Sequence, residues 1–470
     1  MGFVLTIVYI VVTIISPDQF GPEWASYHAL EYLAAIIVVA SLPDFLDMLS
    51  YRNLRSSIPT LLMLGFIFAI ALSQVANGWV GGVVPSWEVF VPHAAIYFFI
   101  VANVRSIRRL QILVLASVAS CLVLAIEALC GYYGGYRGEM FVLQNPVYLH
   151  DEVVNQFVRI RGAGFLQDPN DFAQILVIAL VLVVVAWQRG RVVSNSLLVL
   201  APIALLSWAI FLTHSRGALI GLAVLALVSV RKKLGTAASA VLTCALVLGL
   251  LALGFSGGRE ISIAEGADRL DAWATGLELF KSAPLFGIGF GNFTDFNDIT
   301  AHNSFILCLA ELGLVGGTIY IAFFVTTMMG LNRILEPQEK RAPRLNGEFK
   351  HAEQATALPI APSFSEGFTA TAIANATDIE TKRESERWNP VPKHWVVAIR
   401  LAVIALITTS WFLSRSYSVP LPLVLGLATA TITLQRPDGR EHISTRWMYF
   451  TLGVEAAVVT FIYAVVRLRF

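Results

Sequence analysis

Charge is what this chain has least of. Only 14% of its 470 residues are Asp, Glu, Lys or Arg, against about 25% in soluble globular domains. A deficit of that size excludes a chain that folds wholly in water. The net charge of +1, with basic residues scattered between apolar runs, gives no footing for a nucleic-acid partner. Cysteine is scarce too: Cys121, Cys130, Cys244 and Cys308 all fall in or beside apolar runs and share no ligand spacing. They read as small core hydrophobes, neither disulfides nor metal ligands. No carboxylate cluster and no His/Cys pair has the spacing of a metal site, so no metal and no cofactor is expected. The GIGFG run at 287–291 has no strand before it and lacks the G-x-G-x-x-G spacing, which excludes a dinucleotide fold. Residues 1–16 lack a basic leading segment and a small-residue cleavage motif, so they are expected to form a short first span.

What is abundant is apolar sequence. Hydrophobic residues make up 56% of the chain, the mean hydropathy is +0.70, and runs such as 175–187, 197–212 and 237–255 are nearly free of charge. The fold class implied is an all-α, polytopic membrane protein. With a window of about 19 residues, spans are predicted near 2–17, 27–43, 57–75, 86–103, 110–130, 170–187, 195–213, 217–230, 235–255, 303–329, 396–414, 417–434 and 447–466. Four basic clusters occupy alternate short loops: Arg52/Arg55, Arg105/Arg108/Arg109, Arg189/Arg191 and Arg231/Lys232/Lys233. The positive-inside rule makes these cytoplasmic. The ends of the last spans pull two ways. Thirteen spans leave Arg467 and Arg469 outside, whereas a re-entrant or interfacial 447–466 gives twelve and a cytoplasmic C-terminus.

Three parts follow: a membrane block over 1–333, a polar segment over 334–393 with the composition of a flexible cytoplasmic loop, and C-terminal membrane helices over 394–470. The extracytoplasmic side then holds the loops 131–169, 214–216 and 254–302, the last with a short helix over Asp268–Ser282 whose Leu270, Trp273, Leu277 and Phe280 form an apolar stripe. It also holds arginines that the charge rule does not explain: Arg137, Arg159, Arg161, Arg216, Arg259 and Arg269.

Polar groups concentrate at a few points on that side. In RGAGFLQDPN (161–170), Asp168, Pro169 and Asn170 form a helix start, and Arg161 beside it suits an anion. In HSRGA (214–218), Ser215 can cap the next helix and Gly217 permits close helix approach, while Arg216 sits at membrane depth, where an ionisable side chain is costly. His302 and Asn303 stand where a strongly apolar helix begins. Each has a bland alternative, as cap, packing or snorkelling residue. Taken together, arginines that can grip phosphate oxygens bidentately and a histidine able to take a proton suit a diphosphate leaving group.

The ordered set RGAGFLQDPNDFA (161–173), THSRGA (213–218), DRLDAW (268–273), PLFGIGFGNF (284–293) and AHNSFILCLAELGLVGG (301–317) resembles the O-antigen ligase and polymerase superfamily over about 161–321. The resemblance implies a metal-independent membrane glycosyltransferase of the bacterial inner membrane, its active site facing the periplasm. Its partners would be an undecaprenyl-diphosphate-linked glycan donor, a glycan or lipid A-core acceptor, and other polysaccharide-assembly proteins. By position, Arg161, Arg216 and Arg269 resemble the arginines that engage the pyrophosphate, and His302 the histidine that activates the acceptor hydroxyl. Arg216 is placed with the catalytic pair, and Asn303, Asn170 and Glu311 are supporting; Glu311 is expected either to pair with an arginine or to serve structure. A protein hydroxyl is a further acceptor option. A transporter or flippase for lipid-linked sugars is the alternative from another class, although no internal repeat of the kind such folds show is visible.

Overall fold

The computed structural model describes residues 1–17, 29–149, 152–252, 263–336, 390–435 and 446–468. Most of the 334–393 segment, the Arg259 loop, and Arg436, Arg440 and Arg469 lie outside these residues. Every predicted span carries a helix. In chain order these are α1 (Gly2–Ile15), α2 (Ala29–Ala40) with α3 (Leu42–Met48), α4 (Ile58–Ala76), α5 (Val83–Asn103), α6 (Ile107–Gly134), α7 (Pro169–Val183), α8 (Ala201–Thr213), α9 (Arg216–Leu234), α10 (Thr236–Ala252), α11 (Ile263–Ser282), α12 (Ser304–Leu335), α13 (Lys393–Ser410), α14 (Pro420–Leu434) and α15 (Arg446–Arg467). Among the described residues, eight helical stretches are long and apolar enough to cross a membrane, or nine if the bent pair α2/α3 is one span. Helices α1, α10 and α14 are apolar but shorter.

Two features go beyond the predicted spans, each for a local reason. The second span is not straight: it bends by 77° between α2 and α3, where Pro43 removes a backbone donor and clashes with the preceding turn. Ser41 at the bend donates to Asn103 Oδ1 at 2.9 Å, anchoring it to α5. The 131–169 loop, for which no regular structure is predicted, contains an antiparallel hairpin, β1 (Val142–Leu149) paired with β2 (Glu152–Ile160) in the register Val142↔Ile160 to Leu149↔Glu152. A lone two-stranded hairpin is marginal in water. This one is seated by Phe157 and Ile160, both buried, with β2 against α8.

Helices α7 and α12 form the centre, with 78% of each apolar window enclosed by protein, whereas α15 at 22% is peripheral. After Ser304 the apolar residues of α12 do not keep to one face, because the helix contacts α4, α11, α13, α14 and α15. Helix α11 begins earlier than Asp268 and packs on α12. Gly276 allows this, since a Cβ there would stand 2.3 Å from Ile306 Cγ2. The helix is steadied at its far end by Lys281, whose Nζ lies 5.6 Å over the Tyr463 ring of α15.

Candidate active site

Helix α12 starts with a cap made by its own sequence. Asn303 Oδ1 accepts from the backbone N–H groups of Phe305 and Ile306 at 2.9 and 3.2 Å, satisfying two of the orphan donors of the first turn. The cap buries Asn303 completely and leaves its Nδ2 without a partner among the described residues. One residue earlier, the chain must turn sharply, and His302 takes a left-handed conformation at φ 45°. Such a backbone is uncommon outside glycine, with histidine among the more tolerant residues. The imidazole is held half-exposed at the helix mouth. Its pKa is lowered from 6.5, chiefly by burial and then by the positive charges of Arg269 and Arg415, with Asp168 acting in the opposite direction. A neutral imidazole next to cationic side chains can accept a proton.

Helix α7 arrives at the same place. Asp168 caps it, accepting from Asn170 N–H at 2.7 Å, and Pro169 occupies the first turn. Asn170 Oδ1 accepts from Arg159 Nη2 at 3.0 Å, and Arg159 Nε donates to the Thr213 carbonyl at 2.7 Å. Arg159, 4% exposed, thus pins the hairpin to α7 and to the turn that carries Arg216. In that turn His214 adopts φ 50° and ends α8, its ring lying against Phe157 and Phe211. Ser215 caps α9 through Ala218 N–H, and Gly217 sits under Phe412, where a Cβ would approach to 2.9 Å.

The loop between α13 and α14 completes the cluster. Ser304 Oγ donates to the Leu413 carbonyl at 2.5 Å and accepts from Arg415 N–H at 3.0 Å, while Ser416 Oγ donates to the Ser304 carbonyl at 2.9 Å. The Arg415 guanidinium pairs with Asp171, a carboxylate 5% exposed in the first turn of α7. Three chain-distant pieces, α7, α12 and the 411–418 loop, are therefore bonded around His302.

The glycine loop and the E-L-G-L element prove to be one unit. Helix α12 breaks at Gly313 (φ 63°, ψ −158°), and the backbone groups freed there are taken up by the loop. Ile288 and Gly289 N–H donate to the Ala310 and Glu311 carbonyls at 2.9 and 3.1 Å; Leu314 and Val315 N–H donate to the Pro284 and Leu285 carbonyls at 2.8 and 3.2 Å. Glycine is required on both sides of this contact. A Cβ at Gly287 would lie 2.2 Å from the Glu311 carbonyl carbon, and one at Gly313 would lie 2.4 Å from that of Leu285. From α4, Asn77 Nδ2 donates to the Gly287 carbonyl at 2.8 Å, Gln74 Nε2 to the Phe290 carbonyl at 2.9 Å, and Ser73 Oγ accepts from Phe290 N–H at 3.1 Å. Buried Glu311 accepts from Phe293 N–H at 3.3 Å, and among the described residues it makes no ion pair with an arginine.

Residues 201–321 match the O-antigen ligase family. This stretch is similar to the O-antigen ligase/polymerase superfamily. No curated protein matches the chain. With its many apolar helices, the chain is a multi-pass membrane protein with a region similar to the O-antigen ligase family, which is one of glycosyltransferase-like enzymes. The region as matched spans α8 to the middle of α12, so it supplies Arg216, Arg269, His302, Asn303 and Glu311. Arg159, Arg161, Asn170 and Asp171 come from before it and Arg415 from after it.

The sequence-predicted residues divide accordingly. His302, Asn303, Asn170, Arg216 and Arg269 belong to the elements gathered at the mouth. Arg161 is engaged at the hairpin base, donating from Nε to the Met140 carbonyl at 2.9 Å and from Nη2 to the Glu139 carbonyl at 2.7 Å. Sequence reasoning passed over Arg415 and Asp171, and named Arg159 only as an unexplained charge. Arg415 lies in a short stretch between two predicted spans, on the side expected to be extracytoplasmic, the same anomaly that drew notice to the other arginines. Among the described residues, no group of three or more His, Cys, Asp or Glu side chains is placed to hold a metal ion.

Proposed function

We propose that this protein is a glycosyltransferase that moves a glycan from undecaprenyl diphosphate to an acceptor hydroxyl on the periplasmic side of the inner membrane, as ligase or polymerase in surface-polysaccharide assembly. The observation that carries the reading is the His302 mouth: a proton-accepting imidazole among arginines, at the start of a buried helix within the O-antigen ligase region. The imidazole takes the proton of the acceptor hydroxyl as its oxygen attacks the anomeric carbon. The bond between that carbon and the diphosphate oxygen breaks, and its electron pair leaves with undecaprenyl diphosphate. Arg216 and Arg269 neutralise the charge that develops there, in the manner of paired guanidinium–phosphate contacts. Arg161, with donors already on two backbone carbonyls, holds the hairpin base beside the entry. Asn303 and Asn170 fix the two helix starts.

The test is transfer by the purified full-length protein in EDTA, with an undecaprenyl-diphosphate glycan offered alone or with lipid A-core. Product only with the core acceptor identifies a ligase; a ladder from the donor alone identifies a polymerase. His302→Ala is expected to lower the rate by a factor of about 10²–10⁴, the usual contribution of a general base. Equal rates for wild type and His302→Ala would sink the assignment. Movement of the donor across a vesicle membrane without transfer would establish the flippase alternative.

A further inference from the structure

We infer that Arg415, in the loop joining α13 and α14, is a further donor-binding residue, presenting its guanidinium to the diphosphate from outside the O-antigen ligase region. The inference rests on the function proposed above and adds to it. Arg415 is far from that region in sequence, yet its backbone N–H is bonded by Ser304 Oγ, two residues from His302. Its charge acts on the imidazole together with that of Arg269. The neighbouring Phe412 packs on Gly217, which follows Arg216. One loop is thereby fixed against both the histidine and the Arg216 turn.

The side chain is 42% exposed although it pairs with a carboxylate that is 5% exposed. Only Nη2 is used in that pair. Nε and Nη1 donate to no side chain or carbonyl among the described residues, so most of the five N–H donors of the fork remain for a ligand. The partner has no other evident purpose. A carboxylate in the first turn of a membrane helix is costly unless paired, and Asp171 is placed to hold one end of the guanidinium so that the other end stays in the mouth. Two buried polar atoms of the same elements, Ser414 Oγ and Asn303 Nδ2, also lack partners among the described residues, and native proteins leave few such atoms. A diphosphate, with oxygens on both phosphorus atoms, can accept from several such donors at once.

A purely structural role for the pair predicts that breaking it from either side does equal damage. The ligand role predicts inequality, because Asp171→Asn leaves the guanidinium in place whereas Arg415→Gln removes it. The experiment measures binding of undecaprenyl diphosphate, without sugar, to the full-length protein in detergent, and so does not depend on turnover. Arg415→Gln is expected to weaken binding by about tenfold or more, the worth of one charge-assisted hydrogen bond, and Asp171→Asn by clearly less. Arg415→Lys, which keeps the ion pair but loses the fork, should fall on the weakened side, and it carries the test alone if the Gln variant does not fold. Wild-type affinity in Arg415→Lys, or equal losses in Arg415→Gln and Asp171→Asn, overturns the inference. Arg216→Gln separates this from the parent reading. If it weakens binding and the Arg415 variants do not, only Arg415 is misassigned; if wild type does not bind the lipid, both readings fall.

Discussion

At the scale of single residues, proton affinity is the property on which the mouth depends. Burial, then Arg269 and Arg415, lower the His302 pKa below 6.5. Between that lowered value and 6.5 the folded protein binds fewer protons at this position than the unfolded chain. The contribution of His302 to stability is therefore intact above 6.5 and is lost as pH falls through the window. The same shift keeps the base available in mild acid. The transfer-rate profile should accordingly have its acid limb below pH 6.5, and Arg269→Gln should move that limb upward by removing a charge that opposes protonation. A limb that stays put in Arg269→Gln would show that the Arg269 charge does not set the proton affinity.

At the scale of elements, the broken helix and its loop make a sharp demand on two glycines. Gly287→Ala and Gly313→Ala must push a methyl group into backbone while keeping a left-handed φ, so each should destabilise the protein by about 3 kcal/mol. Gly291 also has a positive φ, but no atom lies within 4 Å of its missing Cβ, and Gly291→Ala should cost only the backbone term, about 1–2 kcal/mol. Thermal melts of the three variants in detergent check this; equal losses would mean that crowding at the break is unimportant. These elements also show what could be read in advance. The start of α7 at Asp168–Asn170, the cap at Asn303, the Ser215 turn and the stretch behind each membrane helix were all legible, because each signal lies within a few neighbouring residues. The hairpin was not, since its strands are stabilised by seating on α8 and by Arg159 reaching Thr213, contacts of long sequence separation. The same holds for Glu311, whose partner Phe293 lies across the glycine loop, and for Arg415, which becomes notable only when Ser304 and Asp171 are seen beside it.

At the scale of the whole molecule, the two ends of the bundle differ in charge. The basic residues Arg52 and Arg55, Arg105 to Arg109, Arg189 and Arg191, and Arg231 and Lys233 lie in or beside the helix ends opposite His302, and Arg105 is partly offset there by Asp44 and Asp47 at 3.0 and 3.4 Å. If the basic end is cytoplasmic, a cysteine at exposed Thr294 should react with an impermeant thiol reagent in cells whose outer membrane alone is opened. A cysteine at exposed Arg189 should react only after full permeabilisation. The reverse pattern would put the mouth on the wrong side for a periplasmic transferase. A different consequence follows from the break at Gly313. Hydrocarbon offers no water to backbone groups left bare, and each costs several kcal/mol. Residues 304–335 therefore cannot settle in a bilayer as an autonomous rod; the segment becomes a stable insert only when 284–289, made just before it, folds back onto its gap. Membrane insertion and the docking of that loop are thus a single event, and a chain that mis-docks it should be recognised by quality control as an incompletely inserted helix, not as an inactive enzyme.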